Sequence, residues 1–306
     1  MKLKTFAVVL DKPDATYRCG EVVSGQCVLV LEGELHLSQL TIALRGEAVC
    51  EWTEARQVSE RGADGKQRSR QETVRHHGHH QCLDLHYCPG NVYPSLLTSG
   101  QHNIGLNFQL PIDGSIPQTL EAKFGRIRYF IESHVKKTQF FAFDEKTKIG
   151  IKIISNPLIS AQEIALPVMA SANKTVGVFG GAPLSLRAEC ARTAHPIGRA
   201  MAITCFVDNR SKKAMTLNAT LKEETLFFAS GAQKKEEEKI ARVSGPIIGA
   251  QTLATETLLL PVPVSARVLH NTCPIIRVKH VVDVYLSIAG SFDLHCHLAV
   301  VLVNDL

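Results

Sequence analysis

The stretch Leu40-Thr41-Ile42-Ala43-Leu44-Arg45-Gly46-Glu47 decides the fold. Leu40, Ile42, Leu44 and Gly46 alternate with Thr41, Ala43, Arg45 and Glu47, a period of two. Side chains on a pleated strand point to opposite faces in turn, so this segment gives one face to a core and the other to solvent. The same period recurs further along the chain. Ile127, Tyr129 and Ile131 alternate with Arg128, Phe130 and Glu132, and Ile276, Val278, His280 and Val282 alternate with Arg277, Lys279, Val281 and Asp283. Turn punctuation falls between such runs at Pro13-Asp14, Glu32-Gly33, Pro89-Gly90, Pro111 to Gly114, Gly180-Gly181 and Asp208 to Ser211. No stretch has a helical period, and the charged run Gln233–Ile240 reads as a solvated loop. Many short strands with regular turns predict an all-β protein built of antiparallel sandwiches of immunoglobulin type.

The chain has 306 residues, which suits two such sandwiches. The predicted division places a first sandwich at 1–155, a hinge at 156–168 around Asn156-Pro157, and a second sandwich at 169–306. Pro157 cannot donate to a ladder and biases Asn156 towards an extended conformation. The halves echo each other: Tyr17-Arg18-Cys19-Gly20-Glu21 leads into Val22–Leu31, and His195-Pro196-Ile197-Gly198-Arg199 leads into Ala200–Val207. An aromatic ring, two spacers, glycine and a charged residue before a strand, met twice, points to a duplicated unit.

Composition narrows the function classes. Hydrophobic residues make up 45% and charged residues 21%, which excludes a disordered chain. No apolar run approaches the roughly 18 residues of a membrane-spanning helix. Phe6–Leu10 is too short for a signal-peptide core, so the expected compartment is the cytoplasm. Nineteen basic against seventeen acidic residues precede the break, and fifteen against twelve follow it, within a net charge of +5. That spread gives no argument for nucleic acid, although a local basic face suits acidic peptides or lipid headgroups. The nine cysteines are scattered without a C-x-x-C pair and sit mostly in apolar segments, as reduced buried thiols do. The three N-x-S/T triplets are read as chance matches.

Several segments, in order, resemble the alpha-arrestins, the arrestin-domain-containing proteins. They are Leu10-Asp11-Lys12-Pro13 with Tyr17 to Gly25, Leu44-Arg45-Gly46-Glu47-Ala48 with Glu51-Trp52, and Leu110-Pro111 through Phe124-Gly125-Arg126-Ile127-Arg128-Tyr129. Asn209-Arg210-Ser211 through Phe227-Phe228-Ala229, Ser244-Gly245-Pro246 and Cys273 to His280 complete the series. The resemblance covers nearly the whole chain. It implies tandem arrestin-like sandwiches and non-enzymatic adaptor work: binding cytoplasmic segments of membrane receptors or transporters, phosphorylated ones among them. From there it implies a link to endocytosis, ubiquitin-dependent trafficking and protein transport, with recruitment to the plasma membrane or endosomes. Departures from the family pattern qualify this. There is no P-P-x-Y motif for ubiquitin ligases, Tyr93-Pro94 being the nearest approach. Gly245-Pro246-Ile247-Ile248 lacks the cysteine of the thioredoxin-binding member, and Gly198-Arg199 stands where the family has Gly-Glu. The alternative readings are a retromer-subunit-like coat component, which has the same double sandwich, and a metal-binding module built on the histidines and cysteines that follow Arg75.

Catalytic constellations are not found: G-x-S-x-G, a P-loop, G-x-G-x-x-G and H-E-x-x-H are all missing. Neither an enzyme nor a cofactor is expected. His76, His77, His79, His80, Cys82, His86 and Cys88 form an unusual cluster whose residue types suit zinc. Their setting favours a solvated loop that enters a strand with Leu83 and Leu85 inward, and no metal is assigned. His295 and His297 share one side of a strand. The functional candidates are the basic residues Lys4, Arg45, Arg126, Arg128, Lys136 and Lys137 of the first half, since arginine forks bind carboxylate or phosphate bidentately and lysines add point charge. Strand addition at an exposed sheet edge is the other way to hold an extended tail.

Overall fold

A computed structural model of the chain describes residues 2–61, 67–87, 96–112, 115–137, 144–154, 161–177, 181–268 and 273–304. The Ser155-Asn156-Pro157 break, Tyr93-Pro94 and Cys88 lie outside them. Alternation forms strands nearly throughout. Two compact units result, one of Met1–Ser155 with Phe227–Lys234 and Asn271–Arg277, the other of Asn156–Leu226, Lys235–His270 and Val278–Leu306.

The strands of the first half are β1 (Lys2–Leu10), β2 (Thr16–Arg18), β3 (Val22–Glu32), β4 (Leu35–Arg61), β5 (Gln67–Tyr87), β6 (Leu96–Leu97), β7 (Gly100–Gln109), β8 (Leu120–Ala122), β9 (Gly125–Lys137) and β10 (Glu145–Ile154). One sheet runs β1-β3-β7 and the other β2-β10-β9-β4-β5, with β6 on β4 and β8 on β9. Their inward residues make the core: Val23, Cys27 and Leu29 from β3, Ile104, Leu106 and Phe108 from β7, Ile42, Leu44 and Ala48 from β4, and Ile127, Tyr129 and Ile131 from β9. Each fully buried aliphatic or aromatic side chain of this kind contributes about 1.5–3 kcal/mol.

After the single helix among the described residues, α1 (Ala161–Ala165), come β11 (Val168–Val176), β12 (Ala182–Cys190), β13 (Ala194–Pro196), β14 (Ala200–Asn209), β15 (Met215–Ala229), β16 (Ala232–Ile248), β17 (Thr252–Pro261), β18 (Ile276–Ile288) and β19 (Leu294–Val303). The sheets are β11-β12-β14-β17 and β13-β19-β18-β15-β16. Leu186, Ile203, Cys205, Leu217, Leu221, Val284, Leu286 and Leu298 lie fully buried between them.

The two halves share one topology. β13-β19-β18-β15-β16 repeats β2-β10-β9-β4-β5 strand for strand, and β12-β14-β17 repeats β1-β3-β7, with β11 added at one edge. The echo read in the sequence falls on equivalent places. β2 pairs in parallel with β10, and β13 pairs in parallel with β19. The turns after them carry Gly20 at φ 82° and Gly198 at φ 77°, a conformation open to glycine at no steric cost. Among the pairings whose register is described, these two short ones are parallel and the others antiparallel.

Two local expectations are corrected. Gln233–Ile240 is not a loop but part of β16, on the edge next to β15. Its alternation was hidden because both faces are polar, and ion pairs from Lys235 to Glu224 and from Glu237 to Lys222 replace apolar contact. The histidine-rich segment likewise lies within β5, which pairs with β4 along its whole length. Beyond Cys50 the described partner of β4 is β5 alone, so Glu51–Arg61 and Gln67–His77 form a two-stranded ribbon. From Ala55 outward its described side chains are exposed or half-exposed on both faces.

Candidate functional site

Register places most of the basic candidates on one surface. On β9, Arg126, Arg128, Glu132, His134 and Lys136 point away from the core, while Ile127, Tyr129, Ile131 and Val135 point into it. On β4, Arg45 stands opposite Phe130, Glu47 opposite Arg128, and Gln39 opposite Lys136. Arg45, Arg126, Arg128 and Lys136 therefore share the outer face of the β2-β10-β9-β4-β5 sheet. The backbone of Lys137 pairs with Leu37 in the same ladder. Lys4 belongs to β1 in the other sheet and is ion-paired with Glu32 at 3.2 Å.

Carboxylates occupy much of that face. Arg45 Nη1 reaches Glu132 Oε2 at 2.9 Å, and its Nε lies 3.4 Å from Asp84. Burial works against ionisation of Asp84, but hydrogen bonds from His86 and Gln81 and the charge of Arg45 prevail and hold its carboxyl below the usual range. Arg128 grips Glu121 bidentately, Nε to Oε1 at 2.6 Å and Nη2 to Oε2 at 3.0 Å, which raises the guanidinium pKa further. Arg126 differs. Glu121 stands opposite it in register, yet the carboxylate is turned to Arg128, and among the described residues Arg126 has no ion-pair partner. It is exposed on the wall of a groove of about 380 Å³, with Trp52, Phe124 and Lys123 among the other lining residues. A second hollow of about 220 Å³ lies by Arg45, His86, His134 and Lys146.

The histidine cluster is dispersed by strand alternation. His76 and His80 follow Trp52 and Ala48 in register, while His77 and His79 follow Glu51 and Val49 on the opposite face. His76 stacks on Trp52 with ring centroids 5.0 Å apart, and His79 lies 3.6 Å from Glu47. Among the described residues no three histidine, cysteine or carboxylate groups converge as a metal site.

The second unit holds a charged cluster that the sequence reading missed. Glu223 is buried on β15 and takes the Arg267 guanidinium and, at 3.6 Å, His280. Asp283 on β18 takes Lys222 at 2.9 Å, His295 at 2.9 Å and His297 at 3.5 Å. Burial opposes the charge on both carboxyls. The nearby His280 and Arg267 beside Glu223, and hydrogen bonds from Lys222 and His295 to Asp283, overcome it and lower their pKa values. The signal was available in Lys222-Glu223-Glu224, a charged run inside an otherwise apolar strand.

Two sandwiches of one topology, carrying an outward basic and acidic face but no convergent catalytic group among the described residues, match known proteins end to end. Residues 6–158 fit the model for Arrestin (or S-antigen), N-terminal domain, and residues 181–304 fit that for Arrestin (or S-antigen), C-terminal domain. The chain belongs to the arrestin family. Similar arrestin-family relatives include Arrestin domain-containing protein 4 of Mus musculus, 25% identical over 98% of this chain and 72% of the relative. The Homo sapiens form is 26% identical over 98% and 71%, and Thioredoxin-interacting protein of Sus scrofa is 22% identical over 95% and 72%. Arrestin-family proteins are in general non-enzymatic adaptors that bind tails of membrane proteins. In this arrestin no helix among the described residues is long and apolar enough to cross a membrane.

Proposed function

We propose that this arrestin is a cytoplasmic, non-enzymatic adaptor that binds acidic or phosphorylated cytoplasmic segments of membrane receptors and transporters. It links them to endocytic, ubiquitin-dependent sorting at the plasma membrane or endosomes. The observation that carries the reading is the end-to-end match to both arrestin domains. Support for the binding face comes from its chemistry. Arg126 offers an uncommitted guanidinium beside a groove. Arg128 and Arg45 hold carboxylates that an acidic tail can replace, since exposed ion pairs are worth only about 0–1 kcal/mol. Lys136 extends the positive strip along β9, and Lys4 adds charge from the other sheet.

The test is a pull-down from cross-linked cells, read by quantitative mass spectrometry, of wild type against Arg126→Glu/Arg128→Glu with melting curves matched. Membrane proteins and endosomal factors enriched by wild type and lost in the variant are expected. Enrichment that the variant leaves untouched refutes the face. Fixed stoichiometric co-purification with a few subunits refutes the adaptor in favour of a coat component.

A further inference from the structure

Within the first unit β7 stands at the end of the sheet β1-β3-β7. The unpaired N–H and C=O groups of such an edge are a template for another strand, and proteins guard them with charge, proline, bulges or brevity. The other sheet-end strands carry those guards. β1 has Lys4 and a register shift between Leu3 and Thr5, β11 has Lys174, and β17 has Glu256 and ends on Pro261. β5 and β16 are dense in charge, while β2 and β13 are three residues long. β7 has no such guard. It spans ten residues without lysine, arginine, aspartate, glutamate or proline, and its register with β3 runs unbroken from Gly100 to Gln109.

The exposed face of β7 reads the same from either end. Gln101, Asn103, Gly105, Asn107 and Gln109 make the series Q-N-G-N-Q, symmetric about Gly105. Between them His102 is half-buried, and Ile104, Leu106 and Phe108 point into the core. The backbone follows the same parity. A residue in an antiparallel ladder sends its N–H and C=O to one side, and its neighbours send theirs to the other. The Leu110 N–H donates to Glu21 O at 3.0 Å, and the Asp11 N–H donates to Ser24 O at 3.1 Å. Since Leu106 faces Gly25 and Val9 faces Gln26, the even-numbered residues of β7 are the ones bonded to β3. The odd-numbered ones, which make up the symmetric series, direct both backbone groups to the open edge.

We propose that this edge joins two copies of the chain, β7 antiparallel to β7, across a two-fold axis at Gly105. Two three-stranded sheets then become one of six strands. In that register Gly105 faces Gly105 of the second copy, Asn103 faces its Asn107, and Gln101 faces its Gln109. Every one of these is a pair that exchanges two hydrogen bonds, so the full strand forms about ten, the number a typical specific interface carries. A carboxamide holds donor and acceptor together, so amide facing amide is complementary without any opposite charge. No ionised side chain on β7 opposes the approach. The two-fold closes the assembly at two chains, because each copy spends its open edge on the other.

The experiment weighs the full chain by sedimentation across a concentration series and reads amide exchange residue by residue by NMR. Expected is a reversible equilibrium between one chain and two. The amides of Asn103, Gly105 and Asn107 should slow as the dimer fills, while those of Ile104 and Leu106, already bonded to β3, stay slow throughout. A Cβ on Gly105 would meet no atom within 4 Å, so the single chain has room for Gly105→Lys. That change sets two ammonium groups against each other at the axis and should raise the dissociation constant by about a hundredfold or more, with the melting temperature of the dilute chain unchanged. Asn107→Pro removes an N–H that faces the open edge and should weaken the dimer in the same way. A wild-type chain still monomeric at about 100 μM overturns the proposal. So does a dimer that both variants leave intact, an open-ended oligomer, or a dimer in which Asn103, Gly105 and Asn107 exchange as fast as in the single chain. Should the variants not fold, the wild-type masses and exchange pattern decide alone.

Discussion

Gly46 on β4 and Tyr129 on β9 face each other across the ladder so closely that a Cβ on Gly46 would stand 2.3 Å from Tyr129 Cε1. The tyrosine ring lies flat over the glycine, fully buried, with its hydroxyl donating to the Pro117 carbonyl. The contact needs glycine for space, not for a special backbone angle. Gly46→Ala must drive the ring off its hydrogen bond or part β4 from β9. Overpacking of this kind costs about 1–3 kcal/mol, and losing a buried hydrogen bond adds to it. Chemical denaturation should give a lower midpoint for the first unit, and an additional Tyr129→Ala change should relieve the clash rather than add to it.

Affinity for an acidic tail should respond in opposite senses to two changes in one groove. Arg126→Ala removes an uncommitted guanidinium, and a charge-assisted hydrogen bond is worth about 1.5–3 kcal/mol, so binding should weaken by roughly ten- to a hundredfold. Glu121→Gln releases Arg128 from its own carboxylate and should tighten binding by up to about fivefold, the worth of an exposed pair. Fluorescence anisotropy with a labelled phosphopeptide, repeated at raised salt, measures both. Equal weakening by the two variants would sink the groove as the site.

His195 gives the second unit a pH dependence of known sign. Its ring is buried with Nε2 unpaired, and desolvation lowers its pKa to about 4 from 6.5. The folded state holds the neutral ring while the unfolded chain binds a proton below about 6.5. The stability it contributes is therefore complete above 6.5 and is lost as pH falls from there towards 4. Each pKa unit corresponds to about 1.4 kcal/mol, so the loss amounts to a few kcal/mol. His195→Gln should flatten the melting temperature across that window, and a slope unchanged from wild type would refute the assignment.

Glu223 is nearly inaccessible, and its charge is held by Arg267 and His280. Arg267→Met leaves a buried carboxylate with the imidazole alone. Removing one partner of a wholly buried pair costs about 3–5 kcal/mol. The Arg267 side chain is itself partly exposed, so water replaces some of its contact and about 2–3 kcal/mol is expected. The double change Glu223→Gln/Arg267→Met should recover part of the loss, as a double-mutant cycle by urea denaturation would read.

The sandwich architecture was legible because Leu40–Glu47 and Ile127–Glu132 carry unbroken alternation, and strands with one wet face announce themselves that way. The Tyr17 and His195 turns announced the repeat, since both must pass a glycine at positive φ. β16 and the ribbon half of β5 were not legible: with both faces polar, alternation has no hydropathy contrast to display. The basic strip on β9 followed from spacing alone, but the Glu121 and Glu132 partners of Arg128 and Arg45 could not. Glu121 arrives on a separate short strand, and Glu132 meets Arg45 only through the β4–β9 register.

The ribbon that β4 and β5 extend past Cys50 implies an uneven resistance to opening. An isolated pair of strands with water on both faces is marginal by itself. Amide hydrogens of Ala55–Arg61 and Gln67–Thr73 should exchange orders of magnitude faster than those of Ile42–Cys50, which β9 and β5 hold from both sides. Brief trypsin treatment should nick at Arg56, Arg61, Arg68 or Arg70 and leave the sandwich assembled around the cut. The protein thus has a fuse at one end of its longest strands, a length that can open, be cleaved or be rewritten without the core registering the change.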